Sequence, residues 1–210
     1  MNKIILFLVL GILSAVSCTV SRNSAPQANN QSSATPQATN TPAKTEEKAA
    51  DSTGKKEERA ITKADCTKVD TGDKALLEKQ TFPIDFAPFE KSCFVTSYNP
   101  EYDNPPLEAE FAIYTNGKKV FDFPGQFNGV TFGCWVEGVA FEDLNGDDLK
   151  DITIVGKCSA KAEPYNENMV YVNTGKAFTT NEDANYKISD YTKIKEINDY
   201  VRQNKQIFFK

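Results

Sequence analysis

Residues 134–158 read CWVEGVAFEDLNGDDLKDITIVGKC, and this stretch decides the fold. Two apolar, β-branched runs at 134–142 and 152–157 flank a polar turn, a pattern that predicts an antiparallel hairpin centred on Gly146. The numbers of opposed residues in such a hairpin sum to 292, so Cys134 faces Cys158. Among three possible connectivities we therefore favour Cys134–Cys158, which leaves Cys66 to pair with Cys93.

Short β-strand signals also dominate the sequence around this hairpin. The dipeptide Asn116-Gly117 lies between apolar runs at 111–115 and 118–123, and it is the strongest short-range hairpin signal in the chain. Thr174-Gly175 separates a second pair of runs in the same way. The further β candidates are 82–89, 92–98, 169–173 and 176–180.

Only the C-terminus shows helical periodicity. Ile194, Ile197 and Val201 are spaced to form one apolar stripe, and Ser189 or Asp190 can cap a helix that runs to about Asn204. We therefore expect a mainly β fold of antiparallel hairpins with one C-terminal α-helix, stapled by disulfides into a single domain.

The first eighteen residues predict export from the cytoplasm. Lys3 precedes a ten-residue apolar core, Ile4 to Leu13, which is too short to span a bilayer. The small residues before Cys18 resemble a bacterial lipobox, in which the cysteine is diacylated and becomes the mature N-terminus. An ordinary signal-peptidase site is the alternative, but lipidation of Cys18 explains why the chain has an odd number of cysteines.

Composition changes sharply after the signal sequence. Residues 19–62 are rich in Ser, Thr, Asn, Gln, Ala and Pro and contain no aromatic residue, so they predict a disordered tether. Residues 63–210 form the folded module. We expect this module to be extracytoplasmic, anchored by its lipid to the cell membrane or outer membrane, and facing the periplasm or the exterior. Its cysteines should then be oxidised.

The composition also excludes several classes of function. The chain has no histidine, which removes Ser–His–Asp and Cys–His catalysis and the usual imidazole ligands of zinc. A net charge of −5 disfavours a broad nucleic-acid interface, so we expect no nucleic-acid partner.

One segment has the residue types of a cation site. Every second residue from 143 to 151 can supply an oxygen. The candidate ligands are the side chains of Asp143, Asn145, Asp147 and Asp151 and the backbone carbonyl of Leu149. Calcium prefers six to eight such oxygens, and carboxylates this close repel one another without a cation. The sequence predicts a structural calcium ion here, with an ion-free polar turn as the alternative.

Between two apolar strands, this segment resembles the calcium loops of FG-GAP and VCBS-type β repeats, with Asp148 where those loops have glycine. Asp tolerates the left-handed backbone better than most residues, so the resemblance implies that Asp148 adopts it. The whole chain resembles small exported bacterial lipoproteins. More loosely, with the hairpin from Tyr171 to Phe178, it resembles periplasmic inhibitors of peptidoglycan hydrolases.

Three functions follow from these features. The first is a lipid-anchored, calcium-binding module that binds a wall polymer or an envelope protein, with contacts from Tyr98–Tyr102 and Tyr165–Asn168. The second is a small glycosidase-like enzyme that uses Glu137 and Glu142 beside Trp135. A regular strand would point these two glutamates to opposite faces, which argues against catalysis. The third is a purely structural envelope lipoprotein.

Overall fold

Alternating apolar residues build two antiparallel β-sheets in this protein. The computed structural model describes residues 59–209, all within one compact unit. The strands are β1 (Ala75–Leu76), β2 (Phe82–Phe86), β3 (Phe89–Tyr98), β4 (Glu110–Thr115), β5 (Lys118–Asp122), β6 (Cys134–Glu142), β7 (Asp151–Cys158), β8 (Tyr165–Asn166), β9 (Met169–Asn173) and β10 (Phe178–Thr180). The α-helices are α1 (Lys63–Cys66), α2 (Glu182–Asn185), α3 (Ile194–Gln203) and α4 (Lys205–Phe208).

Each sheet has five strands. The first has the order β1-β3-β4-β5, with β2 also paired to β3, and the second has the order β10-β9-β7-β6, with β8 also paired to β7. Asn116 and Gly117 both have positive φ angles, 52° and 74°, which suits the tight turn predicted between β4 and β5. The mainly β, antiparallel fold is therefore confirmed.

An aromatic core fills the space between the two sheets. Phe94 of the first sheet meets Phe141 of the second edge to face, with ring centroids 5.5 Å apart. Phe123, just after β5, lies 4.9 Å from the ring of Tyr171 and 5.4 Å from that of Phe178. Rings at these spacings stabilise one another beyond the area that they bury. The first and second sheets are thus held together largely by phenylalanine.

The C-terminal helices cover the other face of the second sheet. Ile197 and Val201 of α3 are fully buried and pack with Val155 and Val170 of that sheet. The predicted helix exists, but its predicted start is wrong: α3 begins at Ile194 rather than after Ser189 or Asp190. Residues 186–188 form a separate 3-10 turn, and the Ser189 hydroxyl donates back to its Tyr186 carbonyl at 3.1 Å instead of capping α3.

Both predicted disulfides are present, Cys66–Cys93 and Cys134–Cys158. The register behind the second disulfide is not uniform, however. Near the turn Glu142 opposes Asp151, so opposed numbers sum to 293, whereas Cys134 opposes Cys158. A β-bulge at Glu137 explains the difference of one between the two sums. It adds one unpaired residue to β6 between Val136 and Gly138.

Candidate metal centre and binding groove

The loop Asp143–Asp151, hereafter the Asp-rich loop, joins β6 to β7. At its start the Asp143 carboxylate accepts backbone N–H groups from Asn145, Gly146 and Asp148, at 3.2, 2.7 and 3.0 Å. These hydrogen bonds stabilise the ionised carboxylate and so hold the pKa of Asp143 below its usual value. The bond from Gly146 has the largest effect. Asp148 has a φ of 66°, so the predicted left-handed conformation is confirmed.

The middle of the Asp-rich loop is closed by its own polar groups. The Asn145 side-chain oxygen accepts the Asp147 N–H at 2.9 Å, and Asp147 in turn accepts the Leu149 N–H at 2.9 Å. The Asn145 amide also donates to the second oxygen of Asp147 at 2.8 Å. The loop is therefore a set of interlocked turns whose backbone is already ordered.

Asp151 closes the Asp-rich loop and is fully buried. One carboxylate oxygen accepts the Leu144 N–H at 3.0 Å and the other accepts the Asn173 N–H at 2.9 Å. The pKa of Asp151 is raised to about 6, chiefly by burial and to a smaller extent by the nearby carboxylates of Asp147 and Asp143, whereas the two backbone hydrogen bonds act to lower it. The negative charges of Asp143 and Asp147 thus disfavour ionisation of Asp151.

Asn173 ties the end of the Asp-rich loop to both sheets. Its buried side-chain amide donates to the Lys150 carbonyl at 3.1 Å and to the Ala87 carbonyl, in the turn between β2 and β3, at 2.7 Å. Its oxygen accepts the Gly175 N–H at 2.9 Å. Sequence reasoning missed this residue, although its place before a Thr-Gly turn is a typical setting for an Asn side chain that bonds backbone.

Two cations of the C-terminal helices contact the same hairpin. Arg202 of α3 pairs with Glu142 at 2.5 Å, and the Lys205 ammonium of α4 donates to the Asn145 carbonyl at 2.5 Å. The helices therefore hold the Asp-rich loop from the side opposite the aromatic core. Nothing in the sequence pattern connects Lys205 with this loop, because the two are 60 positions apart.

The donor chemistry of the Asp-rich loop fits calcium, because its oxygens are hard and each carboxylate oxygen except Asp143 Oδ1, which accepts two N–H groups, retains a second acceptor position. Its present geometry is that of a hydrogen-bonded turn. Among residues 59–209, no three or more His, Cys, Asp or Glu side chains are arranged so that they could hold a metal ion. Binding would require Asn145 and Asp147 to exchange their mutual contact for contacts with the ion.

A second feature is a groove of about 600 Å³ at the edge where the two sheets meet. One wall is Leu76–Gln80, the other is the loop Asp103–Pro106, and Trp135–Glu137 of β6 forms the floor. The Trp135 indole N–H donates to the Glu137 carboxylate at 2.7 Å. The sequence placed Trp135 beside Glu137, but it contained no signal that brings the two walls to them.

The β-bulge decides where the two candidate catalytic glutamates point. Cys134 and Val136 pack in the aromatic core before the bulge, and Val139 and Phe141 pack there after it. Glu137 and Glu142 therefore both lie on the face away from this core, and the expectation of opposite faces is wrong. They have different partners: Glu142 pairs with Arg202, whereas Glu137 bonds Trp135 and lies 3.8 Å from the Lys157 ammonium.

The two aromatic loops serve the fold at most of their positions. Tyr98 packs on the aromatic core, and Tyr102 is 43% exposed. In the other loop the Asn166 amide donates to the Ser189 and Tyr191 carbonyls, at 3.0 and 3.2 Å, and Asn168 is fully buried.

The lipidation site Cys18, the signal sequence and nearly all of the predicted tether lie outside the described residues. Within residues 59–209, none of the helices has the length and hydropathy needed to cross a bilayer. Comparison of the chain with protein-family models, curated proteins and solved structures finds no match.

Proposed function

We propose that this chain is a lipid-anchored, extracytoplasmic binding module, tethered through Cys18, that contacts a cell-envelope partner and is stabilised by calcium. In this proposal the Asp-rich loop holds the ion through Asp143, Asn145, Asp147, the Leu149 carbonyl and Asp151. The partner is a wall polymer or an envelope protein. The protein binds this partner and does not transform it.

The observation that carries the calcium proposal is an ordered turn between two strands in which Asp143, Asn145, Asp147 and Asp151 alternate. Asp143 and Asp147 both raise the pKa of buried Asp151, so their negative charges act on its carboxyl group. A divalent cation would relieve this repulsion. The resemblance to FG-GAP and VCBS-type loops supports the same proposal, because it assigns these positions to calcium.

The contacts of the glutamates favour binding over catalysis. A glycosidase needs two carboxyl groups facing one scissile bond. Glu142 is instead neutralised by Arg202, which leaves Glu137 without the partner that the enzyme hypothesis assigned to it. The Trp135 groove offers a binding surface in its place.

The test is a calorimetric titration of calcium into the full-length, chelator-treated protein. We expect one saturable site and a rise in melting temperature, because an ion that binds only the folded state stabilises it. Asp147→Ala should abolish both signals. Asp190→Ala is the matched control, because it removes an exposed aspartate outside the loop, and it should leave both signals intact.

Absence of heat and of a thermal shift at millimolar calcium would refute the calcium part of the proposal. The Asp-rich loop would then be a polar turn. Equal binding by the wild type and Asp147→Ala would place the ion elsewhere.

A further inference from the structure

We infer that the groove formed by Leu76–Gln80, Asp103–Pro106 and Trp135–Glu137 binds a neutral, hydroxyl-rich saccharide. This inference rests on the proposed binding function, since it names the class of partner, but it does not depend on calcium. The groove volume of about 600 Å³ lies within the range typical of small-ligand sites.

The walls of the groove are held in place before any ligand arrives. On one side the Leu77 N–H donates to the Thr96 carbonyl at 2.8 Å, and the Gln80 carbonyl accepts the Thr96 hydroxyl at 2.7 Å. The Lys63 ammonium donates to the carbonyls of Glu78 and Thr81. A wall fixed in this way loses little conformational entropy on binding.

The opposite wall belongs to a closed loop. The Asn99 N–H donates to the Leu107 carbonyl at 3.1 Å, and this bond joins the two ends of the loop. The Asn99 amide also bonds the Glu108 carboxylate at 2.9 Å. Asp103 and the two prolines that follow Asn104 are therefore presented on a stable support.

The floor of the groove combines an aromatic ring with a carboxylate. Trp135 is 8% exposed, and its indole N–H fixes one oxygen of Glu137. The other oxygen of Glu137 and the side-chain oxygen of Gln80 accept no hydrogen bond from the described residues. The bulge places Glu137 here, which is a common use of bulges beside binding sites.

These groups favour a ligand that donates hydrogen bonds and has an apolar face. Glu78, Asp103 and Glu137 line the groove with Lys79, and Lys157 partly offsets the charge of Glu137, so the lining keeps a small negative excess that disfavours anionic polymers. Sugar hydroxyls would donate to the free oxygens, while the C–H face of the ring would pack on the half-buried Leu77 and Pro105. Small-ligand sites typically combine an apolar lining with a few polar groups that orient the ligand.

A protein partner fits the observations less well. The large exposed apolar side chains lie on separate elements; they are Tyr102, Val120, Phe132, Tyr165 and Tyr186. A single exposed apolar residue is normal for a surface and does not by itself mark an interface. The groove combines an open concave surface with an apolar lining and free acceptors.

The chain provides its own reporter, because Trp135 is its single tryptophan. We would titrate the full-length protein with the tetramer of N-acetylglucosamine and with cellotetraose while recording tryptophan emission. We expect a saturable change with at least one of them at up to about 10 mM ligand. Glu137→Gln should weaken binding about ten-fold or more, because a hydrogen bond to a charged acceptor is lost.

Glu142→Gln is the matched control, since it lies on the same strand but pairs with Arg202 outside the groove, and it should change affinity by less than about two-fold. Melting curves of both variants verify folding. A flat titration with both saccharides, unchanged affinity in Glu137→Gln, or stronger binding of tetralysine than of either saccharide would each overturn the inference.

The calcium titration on the same preparation separates this inference from the proposed function. Saturable tryptophan quenching by a saccharide, with no heat of calcium binding, would support the saccharide site and refute the calcium proposal. Calcium binding with a flat tryptophan signal would support the loop and overturn the saccharide site.

Discussion

The buried carboxyl group of Asp151 gives the sharpest prediction about stability. In the calcium-free protein the pKa of Asp151 is raised from 3.8 to about 6, chiefly because the group is buried. The folded state therefore binds this proton more tightly than the unfolded state does. Below about pH 4 both states are protonated and the full stability is present. As the pH rises through 6 the buried group must ionise, and stability is lost.

The size of the effect follows from the two pKa values. The interval from 3.8 to about 6 corresponds to at most about 3 kcal/mol in the free energy of unfolding. Asp143 acts in the opposite sense, because its pKa is lowered, so its contribution disappears only as the pH falls below its ordinary value of 3.8. The range from about pH 4.5 to 7 therefore isolates Asp151.

The assay is urea unfolding in the presence of a chelator, followed by Trp135 emission across that pH range. We expect the free energy of unfolding to fall with rising pH in the wild type and to stay nearly constant in Asp151→Asn, which cannot titrate. A wild-type profile that is flat or rises with pH would refute the reasoning, as would a slope that persists in Asp151→Asn. Saturating calcium should reduce the wild-type slope, because the cation favours the ionised carboxylate.

Three further substitutions test the packing around the site. Gly156→Ala puts a Cβ atom inside the van der Waals radius of the Glu167 carbonyl oxygen, and urea unfolding should show a loss of at least about 1–3 kcal/mol; wild-type stability would contradict this packing. Tyr171→Phe should change stability by less than about 1 kcal/mol, because within residues 59–209 the buried hydroxyl has only the Met169 sulfur, at 3.7 Å, as a partner; a larger loss would reveal a stronger bond. Asn173→Ala should cost about 2–3 kcal/mol and weaken calcium binding, since it frees two carbonyls and releases the loop end; unchanged calcium affinity would show that the loop does not need this tie.

The central hairpin shows how much the sequence could predict. The strand β6 and the pairing of Cys134 with Cys158 follow from the apolar runs and the turn. The sum of 292 is nevertheless wrong near the turn, where opposed residues sum to 293. It holds at the cysteines only because the bulge at Glu137 absorbs one residue. Gly138 follows the bulge, and a lone glycine in a strand is a weak signal of one.

The remaining features depend on contacts between distant parts of the chain. Periodicity predicted the apolar face of α3, but its start depends on the 3-10 turn at 186–188, which the pattern did not reveal. The Asp-rich loop could be read locally, because its candidate ligands are close in sequence. Asn173, Lys205 and the walls of the groove come from elsewhere in the chain, and only the packed fold brings them to β6.

The most direct test of the central claim is a crystal structure of the protein grown with calcium, with anomalous scattering measured at the Asp-rich loop. We expect one calcium peak about 2.3–2.6 Å from oxygens of Asp143, Asn145, Asp147 and Asp151 and from the Leu149 carbonyl. The contact between the Asn145 amide and Asp147 should be broken in that structure. A loop without a peak at saturating calcium, with the Asn145–Asp147 contact intact, would contradict the account.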